Sequence, residues 1–184
     1  VEIENNPFQK KLTLQQTEAV KTLSKLRGFA PTLLYGVTGS GKTEVYIRCI
    51  QEQLLQQKSV LLLAPEIALT PQLEQRVKDQ FGPAVGMYHS QMTPAKRYKA
   101  WKQFRSGEIN ILIGTRSAAM MSAPRLGLII IDEEHDASYK QHEGFKFSAR
   151  DLAIKRAQML KIPIVLGSAT PSLRTLCLVD EKKF

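Results

Sequence analysis

Cysteine is almost absent: Cys49 and Cys177 are the only two in 184 residues, far apart and without a paired spacing. That excludes a disulfide framework and a zinc site built from this sequence, and fits a reducing, cytoplasmic setting. No apolar run approaches the ~18 residues of a membrane span, so no membrane is expected among the partners. The first residues, "VEIENNPFQKK", have neither an initiator Met nor the basic-then-apolar order of a signal peptide. They read as the start of a piece of a longer protein. Internal repeats and low-complexity tracts are missing as well. Residues 1–10 are expected to be a loose flank, and residues 11–184 one compact domain.

Acidic residues are comparatively few, 17 against 26 basic ones, giving a net charge of +9. Such a chain favours polyanions through counterion release, although charge alone does not specify nucleic acid. Between Thr93 and Ser106 there are five basic residues and no acidic one. Trp101 and Phe104 share a helical face there and are expected to pack on a sheet, leaving the cations as a solvated face.

Short β-rich apolar runs recur at 32–36, 59–64, 84–89, 109–114, 126–132 and 162–168. Helical patterns separate most of them, such as Ile47, Ile50 and Leu54 at i, i+3, i+7. Strands alternating with helices imply parallel pairing, and the nearly unbroken aliphatic runs imply burial on both faces. The expected fold is α/β, a three-layer sandwich with a mainly parallel sheet. Thr70-Pro71, Thr93-Pro94 and Thr170-Pro171 each precede a helical pattern as cap and first turn. Ser148 and Asp151 form a capping box for the helix carrying Ala153, Ala157 and Leu160.

"GVTGSGKT" (36–43) follows one strand and opens a helix, matching the phosphate-loop pattern at every fixed position. Gly36, Gly39 and Gly41 allow the tight turn, so that backbone N–H groups, with Thr38 and Ser40, surround phosphate oxygens. Lys42 would reach the β- and γ-phosphates of ATP, and Thr43 would ligate Mg²⁺. Asp132 emerges from "LIII" at the carboxyl end of a strand, where parallel sheets bind ligands, and would also hold the Mg²⁺. Glu133 is then placed to deprotonate the attacking water.

"GVTGSGKT", "DEEH" and "GSATP" occur in the order and approximate spacing of the superfamily 2 helicase motor core, whose DExH form the chain resembles. More narrowly, "YGVTGSGKTEVY", "APEIALTPQ", "GTRSA", "DEEHDASYKQHEGFKFSARDLA" and "GSATPS" resemble the bacterial replication-restart helicases. The resemblance implies the P-loop NTPase (RecA-like) topology and one ATP-binding lobe of an ATP-dependent 3′–5′ DNA helicase. Such an enzyme acts at stalled forks, in primosome assembly and replication restart. It also implies ATP and Mg²⁺ as ligands, and single-stranded and forked DNA, a second motor lobe, primosome proteins and single-strand-binding proteins as partners. Zinc is expected only in the remainder of the parent. Alone, the lobe should turn over ATP very slowly, because the opposing lobe supplies an arginine finger worth ~10³–10⁵ in rate.

By the same resemblance, Gln16 reads adenine, and His135 couples the nucleotide site to Ser168 and Thr170. Thr70, Thr115, Arg116 and Ser117 touch the nucleic-acid backbone, where such contacts position a strand without reading it. After the acids, Tyr139, Phe145 and Phe147 alternate with Lys140, Lys146 and Arg150 around Gly144. Rings could stack on unpaired bases while cations hold phosphates. The resemblance implies that this loop senses single-stranded DNA and switches on hydrolysis. The alternative is that Phe145 and Phe147 pack beneath the loop. His142, with no second ligand nearby, faces solvent. Two other functions stay open: another translocase or RNA helicase of the superfamily, or a nucleotide-gated binding module that unwinds nothing.

Overall fold

A computed structural model describes residues 11–66 and 71–180. Six parallel strands form one sheet: β1 (Pro31–Tyr35), β2 (Ser59–Leu63), β3 (Val85–Tyr88), β4 (Ile111–Gly114), β5 (Leu126–Ile131) and β8 (Ile164–Ser168). Their spatial order is β1-β8-β5-β2-β4-β3. All six expected apolar runs are strands of this sheet. α1 (Leu14–Ser24) precedes the strands, α2 (Lys42–Leu55), α3 (Pro71–Phe81), α4 (Pro94–Ser106) and α5 (Ala149–Leu160) run between them, and α6 (Leu173–Asp180) follows. A short antiparallel hairpin, β6 (Lys140–Gln141) and β7 (Phe147–Ser148), stands apart from the sheet.

The period of two along each strand divides the core. Val60 and Leu62 of β2, with Leu128 and Ile130 of β5, pack against Val45, Ile47 and Ile50 of α2 and Val77 of α3. Leu61 and Leu63, with Ile129 and Ile131, face Phe104 of α4 and Ala153 and Ala157 of α5. Helices thus cover both faces, and the three-layer α/β sandwich is realised. That explains the unbroken aliphatic runs Val60–Leu63 in β2 and Leu128–Ile131 in β5, since neither face meets water. Each such side chain contributes about 1.5–3 kcal/mol on burial.

Two local expectations change. In α5, Ala153 and Ala157 are buried while Leu160, at the helix end, is 51% exposed. Thr170 does not cap α6; the Ser172 hydroxyl accepts from Thr175 N instead, because Thr170 is engaged elsewhere. Phe104 enters the core, but Trp101 is only half-buried, lying 5.6 Å from the Tyr98 ring with Arg105 over its face. Thr93 and Ser148 do cap α4 and α5. The Asp151 carboxylate bonds Arg150 and Arg174. Thr70, and the flank 1–10, lie outside the described residues.

The phosphate-loop segment leaves β1, the acidic segment leaves β5, "GTRS" leaves β4 and "GSATP" leaves β8. All four therefore meet at the carboxyl edge of one sheet, the ligand-binding side of this architecture.

Candidate nucleotide site

The loop after β1 is fastened by Gly36 N, which donates to Ser168 O at 3.1 Å, and by a turn from Ser40 N to Val37 O. Gly39 and Gly41 have φ of 78° and 82°, the left-handed region that favours glycine. A Cβ at Gly41 would also collide with the Gln16 amide. α2 opens without a side-chain cap, leaving its first N–H groups directed into the loop. Uncapped N–H groups at a helix start form an anion site. Thr38 and Ser40 are exposed on the loop, and Thr43 is half-buried in the first turn.

Gln16 sits against this loop. Its Oε1 accepts from Thr13 N at 2.9 Å, closing a capping box on α1, and its Nε2 donates to Ser40 O at 2.9 Å. A cleft of about 130 Å³ lies beside it, bordered by Leu34, Tyr35, Lys42 and Val45.

The Lys42 ammonium donates to Gly36 O at 2.8 Å and lies 3.3 Å from Glu133 Oε1. Asp132 accepts from the buried Tyr46 hydroxyl at 2.9 Å. Burial pushes the Asp132 carboxyl above its usual range, with Glu133 adding to the effect and Tyr46 and Lys42 opposing it. Burial, together with Asp132, also holds the Tyr46 phenol well above normal, so Tyr46 remains a donor. Gly167 makes this contact possible, since a Cβ there would collide with the Tyr46 hydroxyl.

Glu133 adopts φ of 43°, rare for a non-glycine residue and costing about 1–3 kcal/mol. Hydrogen bonds on both sides hold it there: Asp132 N to Leu63 O, Glu134 N to Gly167 O, and Asp136 N to Glu133 O. Its Oε2 accepts from Ala169 N at 3.3 Å and lies 3.8 Å from His135 Nδ1. The chain reversal turns the carboxylate toward Lys42.

His135 spans to the segment after β8. Its Nδ1 is 2.8 Å from Ser168 Oγ, and its Nε2 is 3.1 Å from Thr170 Oγ1. Thr170 N also donates to Ser168 Oγ. The three residues grouped by the sequence are therefore in direct contact.

The donor set suits a magnesium-bound triphosphate. A lysine and an uncapped helix start stand at the loop, and the Thr43 hydroxyl and Asp132 carboxylate are of the oxygen-donor type that Mg²⁺ takes.

The expected nucleic-acid contacts divide. Thr115 is 2% exposed and offers no side-chain surface to a strand; it contributes the turn that leads into Arg116–Met120. Ser117 is half-buried. The Arg116 guanidinium donates to Ser138 O and Lys140 O, tying its segment to the hairpin. Tyr139 does not reach solvent: it is 2% exposed, with its hydroxyl donating to Asp132 O at 2.6 Å. A ring committed to the core cannot stack on a base. Arg150 likewise turns inward, its Nε pairing with Glu134 Oε2 at 2.6 Å. Lys140 and Lys146 are exposed, as is His142. Phe145 is 76% exposed at the hairpin tip, while Phe147 is half-buried against the core, 6.1 Å from the Phe145 ring.

Glu134 was not singled out in the sequence. Its carboxylate is 2% exposed and accepts from Arg150 Nε, Ser172 N and the Thr175 hydroxyl. Burial alone would raise its pKa, but the Ser172 N–H and the Arg150 guanidinium more than offset that, leaving it below the usual range. A second, partly buried tie, with no sign in the sequence, joins Arg76 of α3 to Glu44 of α2 through two guanidinium nitrogens at 2.7–2.9 Å. Acids trailing a strand read as solvated in a one-dimensional sequence, and only the fold shows which are internal.

The family model described as "DEAD/DEAH box helicase" matches residues 13–179. The chain is 48% identical over 185 residues to "Replication restart protein PriA" of Haemophilus influenzae, covering 98% of this chain and 25% of that protein. The Bacillus subtilis protein of the same name is 40% identical over 187 residues, covering 95% and 23%. The chain thus spans about a quarter of the length of these curated relatives. Among solved structures, "Structure of RecG bound to three-way DNA junction" aligns with a TM-score of 0.66 at 25% identity, covering 92% of this chain and 22% of that one. "DEAD-box helicase Mss116 bound to ssRNA and UDP-BeF" gives a TM-score of 0.66 at 19% identity, covering 92% and 38%, a likeness of fold.

Proposed function

The chain belongs to the DEAD/DEAH box helicase family, and from that premise we propose that it is the first ATP-binding lobe of a 3′–5′ DNA helicase. Its role would be at stalled forks, in primosome assembly and replication restart. The observation that carries this is the convergence of Lys42, Asp132 and Glu133 at the carboxyl edge of one sheet, directly over the uncapped start of α2.

In this reading the loop N–H groups and Lys42 hold the phosphates of ATP, and Gln16 borders the base. Thr43 and Asp132 would hold Mg²⁺, which would supply positive charge to offset that of the phosphates. Tyr46 orients Asp132 by donating to it. Glu133 accepts the proton of the attacking water as its oxygen bonds the γ-phosphorus and the bridge to ADP breaks. Ala169 N and His135 border the same carboxylate, so the segment after β8 is placed to respond to hydrolysis.

On the nucleic-acid side, Phe145 would stack on an unpaired base with Lys140 and Lys146 near its phosphates. Arg116 would act through the hairpin backbone it holds, with Ser117 beside it. Single-stranded and forked DNA are the substrates this reading assigns, together with a second lobe that completes the cleft. Primosome and single-strand-binding proteins are the assigned protein partners.

The test is the Lys42→Ala variant of the full-length protein, assayed for unwinding and for ATP hydrolysis with single-stranded DNA, forked DNA and RNA. Unwinding should be abolished, and DNA should stimulate the wild type most strongly. Persistent unwinding in the variant contradicts the motor reading; strongest stimulation by RNA contradicts the substrate.

A further inference from the structure

α1 and α2 each carry a side chain able to cap at the same place, and they use it differently. Three residues past the N-cap, a Gln or Glu ordinarily reaches back to the N-cap N–H and closes a capping box. α1 does this, with Gln16 Oε1 accepting from Thr13 N at 2.9 Å. In α2 the N-cap is Gly41 and the equivalent residue is Glu44, yet the helix opens without a side-chain cap. The Glu44 carboxylate is turned aside to α3, where Arg76 holds both its oxygens. Arg76 Nε donates to Oε1 at 2.9 Å, and Nη2 donates to Oε1 at 2.7 Å and to Oε2 at 2.9 Å.

The N–H groups at the start of α2 are those assigned to phosphate. A helical side chain leans toward the helix N-terminus, so a Glu44 carboxylate released from α3 would lie over the loop, where a helix start favours any anion. There it would both occupy the donors and repel the triphosphate. The tie to Arg76 removes both effects, because the oxygens are taken and the charge is matched. The pair is shielded, with the Arg76 and Glu44 side chains 19% and 13% exposed. Its anchor is firm: Val77, beside Arg76, is buried in the same core cluster as Val45, beside Glu44.

We propose that Glu44 is a built-in competitor for the phosphate site and that Arg76 is the positioning residue that keeps it out, so that this pair sets nucleotide affinity. Arg76 acts only through Glu44. The proposal rests on the nucleotide reading above, and adds to it a determinant that lies outside both the phosphate loop and the acidic segment.

The experiment uses the full-length protein and compares Arg76→Met, Glu44→Gln and the double variant. It measures the Kd of a Mg²⁺-bound nonhydrolysable ATP analogue by calorimetry at low and high salt, together with ATP KM and kcat. Arg76→Met frees the carboxylate and should raise Kd and KM about fivefold or more, the scale of a charge at a helix start, while kcat stays within about twofold. The rise should shrink at high salt, because ions screen the freed charge. Adding Glu44→Gln to Arg76→Met should return Kd to within about twofold of wild type, a recovery that a merely structural tie would not give. Glu44→Gln alone leaves the Arg76 charge unmatched near the site and should tighten binding by about twofold to fivefold. That variant decides the matter should Arg76→Met not fold. Unchanged Kd in Arg76→Met overturns the proposal, as does a loss that the double variant fails to restore, or unchanged or weaker binding by Glu44→Gln alone. A wild type that binds no nucleotide contradicts the nucleotide reading itself; a wild type that binds, with all three variants alike, contradicts only the role of the pair.

Discussion

The Lys42 ammonium lies 3.3 Å from Glu133 Oε1, so the group assigned to the phosphates is partly neutralised by the group assigned to the water. Binding of ATP must break this contact. Glu133→Gln should therefore tighten Mg-ATP binding by about twofold to fivefold, the worth of a partly exposed ion pair. Hydrolysis should drop by about 10² or more, the usual contribution of a positioned base. Calorimetric titration and a phosphate-release assay on the full-length protein separate the two effects; a fall in affinity would count against the assignment.

Asp132 gives a pH prediction of one sign. Its carboxyl is raised by burial, so the stability it permits is greatest at low pH, where it is protonated, and declines as pH rises through its elevated pKa. Asp132→Asn keeps an oxygen for Tyr46 and removes the charge. In metal-free buffer, its melting temperature relative to wild type should increase from acidic toward neutral pH, while hydrolysis is lost. A difference independent of pH would contradict the burial argument.

Glu134 has the opposite sign. Its carboxyl lies below the usual range, so its stabilisation is complete above the unfolded-state pKa and is lost as pH falls through the depressed one. Glu134→Gln removes the buried carboxylate paired with Arg150 and leaves the arginine the partly exposed Asp151, costing up to about 3–5 kcal/mol at neutral pH. Unfolding of this chain monitored by circular dichroism should show the gap to wild type closing on acidification.

How far these roles could be read in advance differs by element. The six strands were legible because burial on both faces leaves no polar position to blur a run such as "LIII", and the phosphate loop because each glycine has a backbone reason. The hairpin was not. Its strands are two residues each, too short for any periodicity, and alternation of rings with cations gives no sign that Tyr139 and Arg150 turn inward while Phe145 turns out. Thr170 looked like a helix cap because Thr-Pro usually is one; the proximity of His135, 35 residues away, decided otherwise.

Phe145 and Phe147 should separate on mutation. Phe145→Ala removes an exposed ring and should weaken single-stranded DNA binding by about 1–3 kcal/mol with little change in melting temperature. Phe147→Ala removes a ring packed on the core and should act first on stability. Parallel anisotropy and thermal-melt measurements check both; equal effects on affinity would contradict the division.

His135 contacts Ser168 and Thr170, and the proposed function assigns the base to Glu133 instead. His135→Ala should leave Mg-ATP affinity within about twofold and reduce base pairs opened per ATP hydrolysed, a difference that reads coupling separately from binding. Stopped-flow unwinding alongside hydrolysis measures that ratio, and an unchanged ratio would remove His135 from the coupling path.

The most direct measurement is a crystal structure with a nonhydrolysable ATP analogue and Mg²⁺. The Lys42 ammonium should have left Gly36 O and Glu133 for the phosphates, with Thr43 and Asp132 around the metal and Gln16 beside the base. A nucleotide bound elsewhere, or Lys42 still paired with Glu133 beneath a bound triphosphate, would contradict the account.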